Sequence, residues 1–82
     1  MSGWTEQAID EWAVDRMAER MKAKLAKKRE DGRWGWYKGG PLCYDEDLIE
    51  MIEDHVKRGN WTDVANLAMF MSLRDNPPEP TP

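Results

Sequence analysis

Two pairs of polar residues near the middle of the chain have the spacing and chemistry of a metal site. Glu50 and Glu53 lie three positions apart, as do Asp63 and Asn66. Residues three apart on a helix share one face, and carboxylate oxygens are the ligands that Mg²⁺ takes while bridging to phosphate groups. Two such pairs on facing helices could converge on Mg²⁺, with attack of water on a phosphate as the chemistry. The alternative is that these carboxylates form a solvated helix surface and that Asp63 caps a helix.

A glycine-rich aromatic segment, residues 32–44, reads GRWGWYKGGPLCY. Its aromatic side chains need a surface to pack on, and its glycines allow close approach of the backbone. One interpretation is a lid over the core, and a second, compatible one is a stacking platform for a nucleobase with basic residues nearby. The predicted nucleotide-binding residues are Lys24, Lys28, Arg33, Trp34, Trp36 and Asn66.

Other reactive side chains give no motif. His55 is the only histidine and lies among charged residues, which is typical of a surface position. The single Cys43 has no histidine or metal-ligand partner close in sequence, so we expect it to be packed. The chain has no Walker-type loop, zinc-ligand pattern or nucleophile–histidine pair, and no catalytic residue is assigned.

Three helices are expected to position these residues. Apolar residues recur every three or four positions between residues 9 and 25, which predicts a helix at about residues 5–29 with one buried stripe. Further helices are predicted at about 46–58 and 61–74. The very short connection between them indicates an antiparallel hairpin. Asn60 and Asp63 are expected to form a capping box at the start of the third helix. The stripe of the first helix is Ile9, Trp12, Ala13, Met17, Met21 and Leu25.

The predicted fold class is thus all-α: one long N-terminal helix, the aromatic loop and a C-terminal helical hairpin, in a single domain of residues 1–74. The tail, residues 75–82, is polar and rich in proline, so we expect it to be disordered. A chain of 82 residues buries little surface on its own, and a long first helix extends past two short ones, so we expect a homo-oligomer.

Charge is segregated along the chain, although the net charge is only −4. Residues 16–38 contain nine Lys or Arg against three acidic residues, and residues 41–82 contain nine Asp or Glu against three basic ones. The basic segment could bind an anion, pair with the acidic half of a neighbouring chain, or be a solvated face. Neither a membrane-spanning segment nor a signal peptide is evident, which predicts a cytoplasmic protein with no membrane partner. We expect no sequence-specific nucleic-acid partner.

Residues 21–74 resemble the phage-type, MazG-like group of all-α nucleotide pyrophosphohydrolases. The resemblance rests on MKAKL at 21–25, on Gly35-Trp36 and above all on DVANLAM at 63–69. It implies an oligomeric enzyme that removes pyrophosphate from nucleoside triphosphates with Mg²⁺ held by an ExxE and an ExxD pair. Glu50 and Glu53 would form the first pair, and Asp63 would end the second. Asn60 stands where the second pair would begin, so the ligand set is incomplete.

Two functional hypotheses follow. The first is a shortened MazG-like protein that binds nucleotide phosphates, with Mg²⁺-dependent hydrolysis as the activity that the resemblance implies. The second is a non-enzymatic phage counter-defence protein that inhibits a host defence protein or sequesters a signalling nucleotide, with the acidic half or the long helix as its surface.

Overall fold

A computed structural model describes residues 3–33, 35–36 and 44–73. They form three helices, α1 (Glu6–Glu30), α2 (Asp45–Arg58) and α3 (Trp61–Leu73), and no strand occurs among these residues. The all-helical prediction is confirmed for this part of the chain. Trp34, the segment 37–43 with Cys43, and the tail predicted at 75–82 lie outside the described residues. None of the described helices is both long and apolar enough to cross a membrane.

Local signals explain where the helices begin and end. The Thr5 hydroxyl accepts a hydrogen bond from the N–H of Ala8 (3.1 Å) and starts α1. The N–H of Tyr44 donates to Asp47 Oδ2 (3.2 Å) at the start of α2. Gly59, with φ of 72°, ends α2 in the left-handed conformation that glycine adopts without strain. Only two residues, 59 and 60, separate α2 from α3, so these two helices lie against each other as a hairpin.

Helix α3 is the central element because it contacts both α1 and α2. The buried apolar residues among those described are Leu48, Leu67 and Phe70. Partly buried side chains surround them: Leu25, Trp36, Ile52, Met69 and Met71. The core is therefore small and is centred on one face of α3.

The stripe predicted along α1 is buried only in part. Met17, Met21 and Leu25 are half-buried on the side that meets α3, but the buried face does not continue to the start of the helix. No residue of α1 is fully buried, and Trp12 is 52 % exposed. A helix of 25 residues is about 37 Å long, whereas the 13 residues of α3 cover about 20 Å. The contacts of α1 with α3 begin near Met17 and Met21, so the first turns of α1 extend beyond the core.

Candidate functional site

The carboxylate of Asp63 forms a buried cluster of ion pairs between α1 and α3. Asp63 lies in the first turn of α3 and is only 4 % exposed. Lys24 Nζ lies 3.2 Å from Oδ2, and Lys28 Nζ lies 3.4 Å from Oδ1. The two lysines are four residues apart, so they project from the same face of α1 towards α3. This cluster of two cations and one anion joins α1 to α3 and leaves one positive charge uncompensated.

The end of α2 completes the surroundings of Asp63. His55 Nδ1 lies 3.8 Å from Asp63 Oδ2 and 3.1 Å from the side-chain nitrogen of Asn60. These two contacts place the imidazole of His55 beside the Asp63 cluster. The predicted capping box is not formed, because the backbone N–H of Asn60 donates to the carbonyl oxygen of His55 (2.9 Å) and not to the Asp63 carboxylate.

Burial of Asp63 raises its pKa, but the ammonium groups of Lys24 and Lys28 lower it by more. The hydrogen bond from Lys24 makes the largest of these lowering contributions, followed by the charge of Lys28, and the resulting pKa is below the ordinary value of 3.8. Asp63 is therefore ionised throughout the physiological pH range.

Asn66 is a second buried polar residue on α3, one turn after Asp63. Its side-chain nitrogen donates to the carbonyl oxygen of Met21 (3.3 Å). Its Oδ1 has no hydrogen-bond partner within the described part of the chain. Asn66 thus ties α3 to α1 from inside the interface, where a nucleotide could not reach it without separating the helices.

The acidic residues predicted to hold Mg²⁺ are not brought together with free oxygens. Glu50 and Glu53 are exposed on α2, whereas both oxygens of Asp63 face ammonium groups. Among residues 3–33, 35–36 and 44–73, no group of three or more His, Cys, Asp or Glu side chains has the arrangement of a metal site. The donor set does not fit Mg²⁺ in this arrangement, because a divalent cation would have to displace both lysines.

The predicted nucleotide-binding residues are found in separate places. Lys24 and Lys28 contact Asp63. Trp36 stacks on Phe70 with ring centroids 4.7 Å apart and planes 11° apart, so its ring packs against the core. Arg33 is exposed, and its guanidinium lies 3.9 Å from the carboxylate of Asp31. Trp34 lies outside the described residues.

A shallow hollow beside Asp63 combines features that the sequence did not single out. It has a volume of about 280 Å³ and lies between α1 and the start of α3. Arg20 lies one turn before Lys24, and Trp61, the first residue of α3, is 62 % exposed. Arg20 could have been found from its four-residue spacing to Lys24, whereas the approach of Trp61 to α1 depends on the tertiary fold. The lining residues are Met17, Arg20, Lys24, Gly59, Asn60, Trp61, Thr62 and Asp63.

Comparison of the chain with protein families, with curated proteins and with solved structures found no match. The function is therefore argued from the residues of this hollow and of the Asp63 cluster.

Proposed function

We propose that this protein binds a nucleotide in the hollow between α1 and the start of α3, with the phosphate near Arg20 and Lys24 and the base against Trp61. The observation that carries the proposal is the presence of two cations, an exposed indole and a helix N-terminus around one concave surface. The two cations and the helix N-terminus would attract a phosphate, and the indole would contact a base. The resemblance to nucleotide pyrophosphohydrolases supports the same class of ligand.

The charges of the hollow favour an anion. Arg20 has no ion pair within the described residues, and the side chain of Lys24 is half exposed although its ammonium contacts Asp63. An ammonium has three donors, so Lys24 can bind Asp63 and a phosphate oxygen at once. Asp63 fixes the position of Lys24, which lowers the conformational entropy lost when a ligand binds.

The N-terminus of α3 adds a fixed partial positive charge. The first N–H groups of a helix have no partner within it, and the aligned peptide dipoles favour an anion there. Thr62 and Asp63 are in this first turn and line the hollow. The Asp63 side chain offsets part of this potential, so the two cations of α1 are needed for net attraction.

Trp61 supplies the apolar contact. Its large, mostly exposed ring is available to stack on a base, and such stacking tolerates different bases. A volume of about 280 Å³ is just below the about 300–1,000 Å³ typical of ligand pockets. An open hollow of this size suits a phosphate and one face of a base, with the rest of the ligand in solvent.

The proposed activity is nucleotide binding that uses no metal ion. Because both oxygens of Asp63 face lysines, no residue of the hollow is free to orient an attacking water through Mg²⁺. Binding without hydrolysis coincides with the alternative that the protein sequesters a signalling nucleotide. The other alternative is inhibition of a host protein through the acidic half or the long helix, which does not require the features of this hollow.

Isothermal titration with nucleoside mono- and triphosphates and with cyclic dinucleotides tests the proposal. We expect at least one ligand to bind, and we expect Arg20→Ala to weaken that binding about tenfold, the value of one charge-assisted contact. Arg29→Ala is the matched control, because Arg29 is an exposed arginine of the same helix outside the hollow. Absence of binding across the panel, or equal losses in the two variants, would reject this site.

A further inference from the structure

The side of α1 that faces away from α3 carries a regular seam. Met21, Leu25 and Lys28 lie on the side that meets α3. On the opposite side, residues recur at alternating intervals of three and four, which is the spacing of a coiled-coil seam. The seam residues are Ile9, Trp12, Arg16, Glu19, Ala23 and Ala26.

We propose that two copies of this chain associate through this seam, with their α1 helices antiparallel. The seam side chains are large near the start of α1, at Ile9 and Trp12, and small near its end, at Ala23 and Ala26. With the two-fold axis between Arg16 and Glu19, Trp12 of one copy lies against Ala23 of the second copy, and Ile9 lies against Ala26. Large residues then meet small ones at both ends of the contact, as close packing between two helices requires.

The centre of the seam also favours the antiparallel arrangement. Arg16 and Glu19 lie 3.6 Å apart within one copy and are both largely exposed. In the antiparallel pair, Arg16 faces Glu19 of the second copy, so the two copies share a network of four alternating charges. A parallel pair would instead place Arg16 against Arg16 and Glu19 against Glu19, which is repulsive.

The residues that flank the seam have complementary charges in the same arrangement. Asp15 on the first half of α1 lies opposite Lys22 of the second copy, and Glu6 lies opposite Lys27. Neither Asp15 nor Lys22 has an ion pair within the described part of its own chain. The segregation of charge along α1 therefore makes the helix self-complementary, which selects a second copy as the partner.

The exposed apolar surface explains why association is favourable. Trp12 and Trp4 are each about half exposed and meet edge-on, with ring centroids 6.2 Å apart. Both lie on the part of the chain that α3 does not reach. A second copy would cover this tryptophan pair. Lys24, Trp61 and Asp63 of the hollow lie on the side of α1 that meets α3, and Arg20 lies between that side and the seam. Binding measured with Trp61→Ala therefore tests the nucleotide site without changing a residue near the seam.

Sedimentation equilibrium of the full chain gives the dissociation constant of the dimer. We expect Asp15→Lys and Lys22→Asp each to weaken association about tenfold or more, since each places like charges opposite each other twice per dimer. An equimolar mixture of the two variants should restore the affinity of the unaltered chain. In a mixed antiparallel dimer, the lysine introduced at position 15 of one copy faces the aspartate introduced at position 22 of the other. The second contact of that dimer joins the native Lys22 and Asp15. Trp12→Ala should weaken association about hundredfold, because the change removes a large aromatic contact twice per dimer.

Glu11→Lys is the control, because it makes the same charge change on the same half of α1 at a position outside the seam. We expect its dimer affinity to stay within about threefold of the unaltered chain. Circular dichroism of every variant checks that the helical content is retained. A protein that is monomeric at all concentrations, or a mixture that associates no better than the separate variants, would overturn the proposal.

Discussion

Lys24 Nζ lies 3.2 Å from Oδ2 of Asp63, and this contact links the basic half of α1 to the first turn of α3. The contact connects the fold to the candidate site, because the same lysine also lines the hollow beside Trp61. Asp63 is buried, whereas Lys24 is half exposed, so Asp63 organises the cluster and Lys24 is the member that a ligand can reach.

Replacement of Asp63 by asparagine should destabilise the fold. The change leaves Lys28, whose side chain is only 20 % exposed, without its counter-charge. We expect the free energy of unfolding to fall by about 2 kcal/mol, between the values for exposed and buried ion pairs. Urea denaturation followed by circular dichroism measures this change.

Asp54→Asn is the matched control for that experiment. Asp54 pairs with Arg58 across one turn of α2 at 3.0 Å, but both side chains are more than half exposed. The expected loss is below about 0.5 kcal/mol. A loss for Asp63→Asn that is no larger than this control would show that the buried cluster does not stabilise the fold.

The stability that Asp63 contributes should be lost at acidic pH. Because Lys24 and Lys28 lower its pKa below 3.8 in the folded state, the stabilisation is fully present above the unfolded-state pKa near 3.8. It is lost as the pH falls through the folded-state pKa. The difference in unfolding free energy between the unaltered chain and Asp63→Asn should therefore be constant from about pH 7 to about pH 5 and shrink at more acidic pH. A difference that grows on acidification would contradict this assignment.

The helices could be predicted from sequence because their signals are local. Apolar periodicity, the acidic start of α2 and Gly59 are all visible in the chain itself, and the observed bounds lie close to the predicted ones. The exposure of Trp12 could not be predicted this way, since it depends on how far α3 extends along α1. Periodicity shows which residues share a face of a helix but not which neighbour covers that face.

The candidate site was harder to predict for the same reason. The spacing of acidic residues pointed to Asp63 as a metal ligand, but nothing in the sequence indicates that Lys24 and Lys28 meet it from a distant helix. Whether a carboxylate binds a metal or a lysine is decided by the rotation of α1 against α3. That rotation is set by contacts between helices, such as the hydrogen bond from Asn66 to Met21.

Trp36 and Trp61 should have different roles that mutation can separate. Trp36 stacks on Phe70 in the core, so Trp36→Ala should lower the free energy of unfolding by about 3 kcal/mol through loss of buried apolar surface. Trp61 is mostly exposed, so Trp61→Ala should change stability by less than about 1 kcal/mol but weaken nucleotide binding about tenfold. Denaturation and isothermal titration of both variants measure the two effects. If Trp36→Ala weakened nucleotide binding and Trp61→Ala did not, the base would stack on the aromatic segment and not on Trp61.

The dependence of binding on Mg²⁺ separates the hollow from the predicted metal site. Binding through Arg20, Lys24 and Trp61 needs no divalent ion, and Glu50 and Glu53 are exposed on α2 and do not line the hollow. We therefore expect the affinity for a nucleotide to change less than about threefold when Mg²⁺ is replaced by EDTA, and Glu53→Gln to leave it unchanged within the same limit. If Mg²⁺ is required for binding, or if the unaltered chain releases pyrophosphate from a nucleoside triphosphate and Glu53→Gln does not, then Asp63 must exchange its lysines for a metal on ligand binding. In that case the MazG-like reaction, and not simple capture of the nucleotide, would be the activity of this protein.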